Sequence, residues 1–105
     1  MKVVEFIIML TRDDRYRHRH VRIAGRVTEF VIQYEVRQGE EWMPVVRYDT
    51  AHGFAHRDLF SLTKDVVKTP LGMKDLNMAL TFAESDLKTN WIWYRRRFGE
   101  KQDGA

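Results

Sequence analysis

Between Lys74 and Phe98 the residues Leu76, Leu80, Ala83, Leu87, Trp91, Tyr94 and Phe98 step by 4, 3, 4, 4, 3 and 4. Only an α-helix gathers that spacing into one stripe. No Gly or Pro interrupts the run, and Gly99 stands where a C-cap belongs. Arg95, Arg96 and Arg97 complement the negative end of the helix. At about 1.5 Å per residue such a helix runs to roughly 37 Å. That is long for one small sheet to cover, and Met78, Phe82, Ile92 and Trp93 give it a second apolar face. A second apolar face predicts a partner, most simply a second copy of the chain packed as a homodimer through this helix. A sheet that curls around the helix is the alternative.

The residues before the helix read as strands. Lys2 to Leu10 is rich in β-branched residues and ends at the polar cluster Thr11-Arg12-Asp13-Asp14. Arg15 to Ala24 alternates, with Tyr16, His18, His20 and Arg22 on one face and Arg17, Arg19, Val21 and Ile23 on the other. Gly25-Arg26 suits a tight connection. Arg26 to Arg37 follows, and Thr28, Phe30, Ile32, Tyr34 and Val36 form its core face. Trp42 to Asp49 is a fourth strand, with Pro44 predicting an edge or a bulge near its start. Val66-Val67 is a candidate short fifth strand. The sum is an α+β fold: an antiparallel meander of four or five strands with one long C-terminal helix packed across it.

A length of 105 residues fits one domain, taken as residues 1–101 with a disordered tail at 102–105. The longest apolar run, Phe6 to Leu10, is far below the roughly 18 residues a membrane span needs. With no cysteine, disulfides and thiolate metal sites are excluded, and a cytoplasmic location without membrane contact is expected. Net charge is only +3, yet twelve of the eighteen cations are arginine. Arginine's planar fork suits phosphate and carboxylate. Arg17, Arg19, Arg22, Arg95 and Arg96 are therefore candidate nucleic-acid contacts. Glu29 and Glu35 on the following strand are positioned to neutralise part of that stripe.

Chemistry concentrates in Asp49-Thr50-Ala51-His52-Gly53-Phe54-Ala55-His56-Arg57-Asp58, read as a loop after the fourth strand. Three readings fit it. In the first, His52 and His56 act as acid and base on RNA without metal, Arg47 and Arg57 hold phosphate, and Asp49 orients a histidine. In the second, His52, His56 and Asp58 ligate a metal, with Asp49 able to complete the set. In the third the segment is scaffold: Asp49 caps a turn, Gly53 supplies a positive φ, and the histidines bond backbone carbonyls. No Gly-rich phosphate loop, GxSxG or HExxH is present, and the first reading requires no cofactor.

Arg47-Tyr48-Asp49-Thr50-Ala51-His52-Gly53-Phe54-Ala55-His56-Arg57-Asp58 resembles a pattern in small bacterial and archaeal proteins. One such set is an uncharacterised family with the same strand, histidine loop and helix opening, here Leu76-Asn77-Met78-Ala79-Leu80-Thr81-Phe82. The stretch is also similar, more loosely, to the TumE-type toxins of toxin–antitoxin pairs. It matches them at Arg47, Tyr48, Asp49, Ala51, His52 and His56, and departs at Thr50, where those proteins have Asn, and at Asp58, where they have His. That resemblance implies a growth-inhibiting protein held silent by an antitoxin, with RNA as target. The expectation from sequence is thus a toxin-like RNA-binding protein or metal-independent ribonuclease. The alternative is a non-catalytic dimeric module that binds nucleic acid or an acidic protein.

Overall fold

The computed structural model describes residues 1–99, so the expected tail at 102–105 lies outside the described residues. Six strands precede one helix: β1 (Lys2–Thr11), β2 (Asp14–Ile23), β3 (Arg26–Gln38), β4 (Glu41–Asp49), β5 (His56–Phe60), β6 (Val66–Pro70) and α1 (Leu76–Gly99). They form one antiparallel sheet whose strand order equals the chain order, β1 to β6. The meander and the C-terminal helix are as the sequence predicts, with six strands instead of four or five. The difference lies after Asp49. The histidine segment is a six-residue turn, Thr50 to Ala55, followed by a strand that begins at His56 and pairs back on β4.

Helix α1 starts on a cap, because Asp75 Oδ1 accepts the Asn77 N–H at 2.9 Å. Its buried residues are Ala79, Leu80, Ala83, Leu87, Tyr94 and Phe98, with Leu76 and Trp91 half-buried against the same core. The stripe therefore meets the sheet as its spacing requires. Met78, Phe82, Ile92 and Trp93 stay exposed, so the sheet does not curl round to cover them. Gly99 is the last helical residue and keeps a negative φ, so it is not the left-handed cap the sequence suggests.

The core lies between α1 and one face of the sheet. Tyr16, Phe30, Ile32, Tyr34, Val46, Tyr48 and Leu59 supply the sheet side. Two of the three register shifts in the sheet adjust the pattern of the core strands. A register shift between Val21 and Arg22 pairs Arg22 with Val27 and buries Val27, whereas Thr28 turns outward. A second shift, between Tyr34 and Glu35, sets Glu35 opposite Pro44, so the proline sits at a bulge. The β2–β3 connection is the two-residue turn Ala24-Gly25, with φ of 52° and 80°, one residue earlier than Gly25-Arg26.

Polar clamps fix the helix on the sheet. Asp86 of α1 accepts the hydroxyls of Tyr48 and Tyr94, and Asn90 donates to its other oxygen at 2.9 Å. Burial pushes both tyrosine hydroxyls up, and the Asp86 carboxylate adds to the shift, so each remains a donor. At the other end of the sheet the fully buried Asp14 accepts from Tyr34 at 2.5 Å and from Thr11, and lies 3.4 Å from Arg95. Replacing Asp86 by Ala removes the acceptor of the Tyr94 hydroxyl and leaves that of Tyr48 only Tyr94 at 3.3 Å, so the urea midpoint of unfolding should fall by an amount equal to about 1–3 kcal/mol. Asn in its place should recover part of that loss.

Candidate functional site

Alternation along the strands sorts the candidates onto two faces. The far face of the sheet, opposite α1, carries Arg17, Arg19, Gln33, Arg47, Asp49, His56, Asp58 and Lys68 in laterally paired rows. Arg17 pairs with Gln33, Gln33 with Arg47, Arg47 with Asp58, and Asp58 with Lys68. In the next row Asp49 pairs with His56.

Asp49, His56 and Asp58 come together at the β4–β5 end of this face. His56 Nε2 lies 2.9 Å from Asp49 Oδ1 and 3.7 Å from Asp58 Oδ1. All three are buried, at 7%, 1% and 4% exposure. Lys68 Nζ approaches from β6, 3.3 Å from Asp58 Oδ1 and 3.5 Å from His56 Nε2. The turn covers the cluster: the rings of His52 and Phe54 each stand 5.6 Å from that of His56. Features of the scaffold reading are present as well. Asp49 Oδ1 accepts the Ala51 N–H at 3.1 Å, Gly53 has a φ of 83°, and His56 Nδ1 faces the Phe54 carbonyl at 3.4 Å.

Beside the cluster a groove of about 670 Å³ crosses β1 to β4. Ile7, Arg17, Arg19, Val31, Gln33 and Arg47 line it, and Asp49 closes one end. Arg47 donates to Gln33 Oε1 at 2.6 Å and lies over the Phe60 ring at 5.2 Å. Several arginines are neutralised: Arg15 by Glu35 at 2.7 Å and Arg19 by Glu29 at 3.1 Å. Among the described residues Arg17 and Arg47 have no carboxylate partner.

The sequence candidates are thus only partly united. Arg47, Asp49 and His56 share the far face with Asp58, and Asp49 touches His56 as an orienting group must. His52 stands over them on the turn, outside the set of three ligand-type atoms. Arg57 does not join them. It follows His56, so the pleat turns it to the other face, where it donates to the Tyr94 hydroxyl at 3.1 Å. The nucleic-acid candidates do not form one surface either. Arg17 and Arg19 are on the far face, and Arg22 donates to His20 at 3.1 Å on the helix side. Arg95 and Arg96 belong to α1, and Arg95 is tied to Asp14. Lys68 is the residue that sequence reading missed. Its place follows once the Val66-Val67 strand is extended to Pro70, which pairs Lys68 with Asp58.

Residues 1–104 match a domain of unknown function, DUF7718. The chain belongs to that family. No curated protein and no solved structure matches it. For this DUF7718 member the arrangement of side chains is the ground for any functional reading.

A second histidine pair lies under α1. His18 Nε2 and His20 Nδ1 are 2.6 Å apart, Phe6 of β1 stacks on His18 at 4.4 Å, and Glu84 of α1 is 3.8 Å from His18 Nδ1. Burial pushes both imidazoles below the usual histidine range. Glu84 opposes the shift at both; His20 and Lys88 reinforce it at His18, and Arg22 and Lys2 reinforce it at His20. A histidine whose folded pKa is depressed takes its proton more readily in the unfolded chain. Stability held above the unfolded value of about 6.5 is therefore lost as pH falls through the folded one. The melting temperature of this DUF7718 protein should drop as pH is lowered from 7.5 toward 5. A His18→Gln variant should show a flatter profile; an equally steep one would place the acid sensitivity elsewhere.

Proposed function

We propose that the chain is a toxin-like RNA-binding protein that takes a single strand in the groove of the far face. The Asp49–His56–Asp58 cluster is its reactive end. The supporting observation is the pair of guanidiniums, Arg17 and Arg47, that line the groove without carboxylate partners among the described residues while Asp49 closes it. Guanidinium groups beside Ile7, Val31 and Phe60 offer phosphate contacts next to apolar surface for bases, the combination that single strands need. The ribonuclease form of the proposal adds cleavage at the cluster. An antitoxin partner and a cytoplasmic setting belong to the same reading.

The test is binding of a labelled single-stranded RNA in EDTA across a salt series. An Arg17→Ala/Arg47→Ala variant should bind about tenfold more weakly and lose about 0.7 from the log–log salt slope per phosphate contact removed. An Arg95→Ala/Arg96→Ala variant should bind like wild type. The reverse pattern would move the interface to the helix side and reject the groove.

The exposed face of α1 supports a second element of the proposal, a homodimer. Met78, Ile92 and Trp93 are 62%, 57% and 55% exposed on a helix whose opposite stripe is already buried. Light scattering should report a dimer for the wild type and a monomer for Ile92→Lys/Trp93→Lys.

A further inference from the structure

The cluster at the end of the groove has the composition and spacing of a cation site. One oxygen from Asp49, Nε2 of His56 and one oxygen from Asp58 lie within 4.8 Å of one another. Two of the separations are 2.9 and 3.7 Å. Nitrogen and oxygen ligands about 2.1 Å from a first-row divalent ion stand roughly 3 Å apart when they take adjacent positions. The three side chains need little movement to meet one ion.

Charge and hydrogen bonding point the same way. Asp58 Oδ1 is buried without a hydrogen-bond donor, although its residue is only 4% exposed. A carboxylate oxygen left in that state is costly and is met by a cation or a donor. The cation in place is Lys68, 3.3 Å from that oxygen, on a side chain that is 48% exposed. That ammonium reaches Asp58 and leaves the buried Asp49 carboxylate to His56. Lys68 also lies 3.5 Å from His56 Nε2, the nitrogen that turns toward both carboxylates. A flexible, half-exposed lysine stands where the cluster calls for positive charge and is free to swing outward. The purely structural account, in which Lys68 is the permanent counterion, gives Asp58 one long bond of 3.5 Å at Oδ2 and none at Oδ1.

We infer that Asp49, His56 and Asp58 bind one divalent transition-metal ion, which displaces the ammonium of Lys68. Imidazole with two carboxylates suits manganese, iron or zinc better than calcium, which takes oxygen alone. Asp49 lines the groove as well as the site, so Arg17 and Arg47 would lie on the same face as the remaining oxygens of a metal-bound phosphate. The ligand class is therefore a phosphate ester, and the ion binds whether or not RNA is present.

The experiment uses the whole chain, stripped with EDTA, dialysed free of chelator and titrated calorimetrically with manganese chloride and zinc chloride in the absence of RNA. One saturable site is expected, together with a rise in melting temperature on ion addition. Asp58→Asn, close to isosteric, should weaken binding at least tenfold. Lys68→Ala should bind as tightly as wild type or tighter, since a competing cation is gone. If Asp58→Asn does not fold, Lys68→Ala and the wild type still decide the matter. No saturable binding in either, or wild-type affinity in Asp58→Asn, would overturn the inference. Because RNA binding is measured in EDTA on the arginine variants, the two proposals fail independently.

Discussion

The two-residue period of β4 and β5 is the constraint from which the rest follows. Val46 and Tyr48 point at the helix, and Arg47 and Asp49 point away. On the neighbouring strand Arg57 and Leu59 point at the helix, and His56 and Asp58 point away. A slip of one residue in either strand would put a carboxylate into the apolar core and turn Tyr48 or Leu59 to the far face. Burial of Tyr48 and Leu59 under α1 therefore fixes the positions of His56 and Asp58 on the reverse side. Packing and chemistry use opposite sides of the same residues' backbone.

That division gives the helix a precise seat. Asp86 accepts from one tyrosine of the sheet and one of its own helix, and Asn77 accepts the Val27 N–H at 2.8 Å near the start of α1. Together with the Asp14 contact to Arg95 they hold both ends and the middle of a 24-residue helix. Apolar packing alone tolerates sliding, whereas directed hydrogen bonds select one position. Arg57, expected at the reactive end, belongs to this system through Tyr94.

Much of this was legible in the sequence. The helix announces itself through period, and β1 to β4 through β-branched content and turn residues. What escaped was β5, because His56-Arg57-Asp58 has polar residues on both faces and so shows no apolar alternation. Its burial comes from outside its own window: from α1 on one side, and from the turn and Lys68 on the other. Once β5 is missed, Lys68 has no reason to be noticed and Arg57 seems to belong with the histidines. The burial of His18 and His20 escaped for a related reason. A polar alternating face looks solvated until a helix is laid on it.

A sheet whose spatial order repeats its chain order has one further property. Each strand from β2 onward pairs with the strand made just before it, so every hairpin closes over a short loop and little entropy is spent on distant closures. Such a topology favours rapid zippering from any one of the hairpins. The exception is α1, whose seat is on β3 and β4, far back along the chain. Without that cover Tyr16, Phe30, Ile32, Tyr34 and Tyr48 would face water together, so the sheet depends on the last element of the chain for its stability.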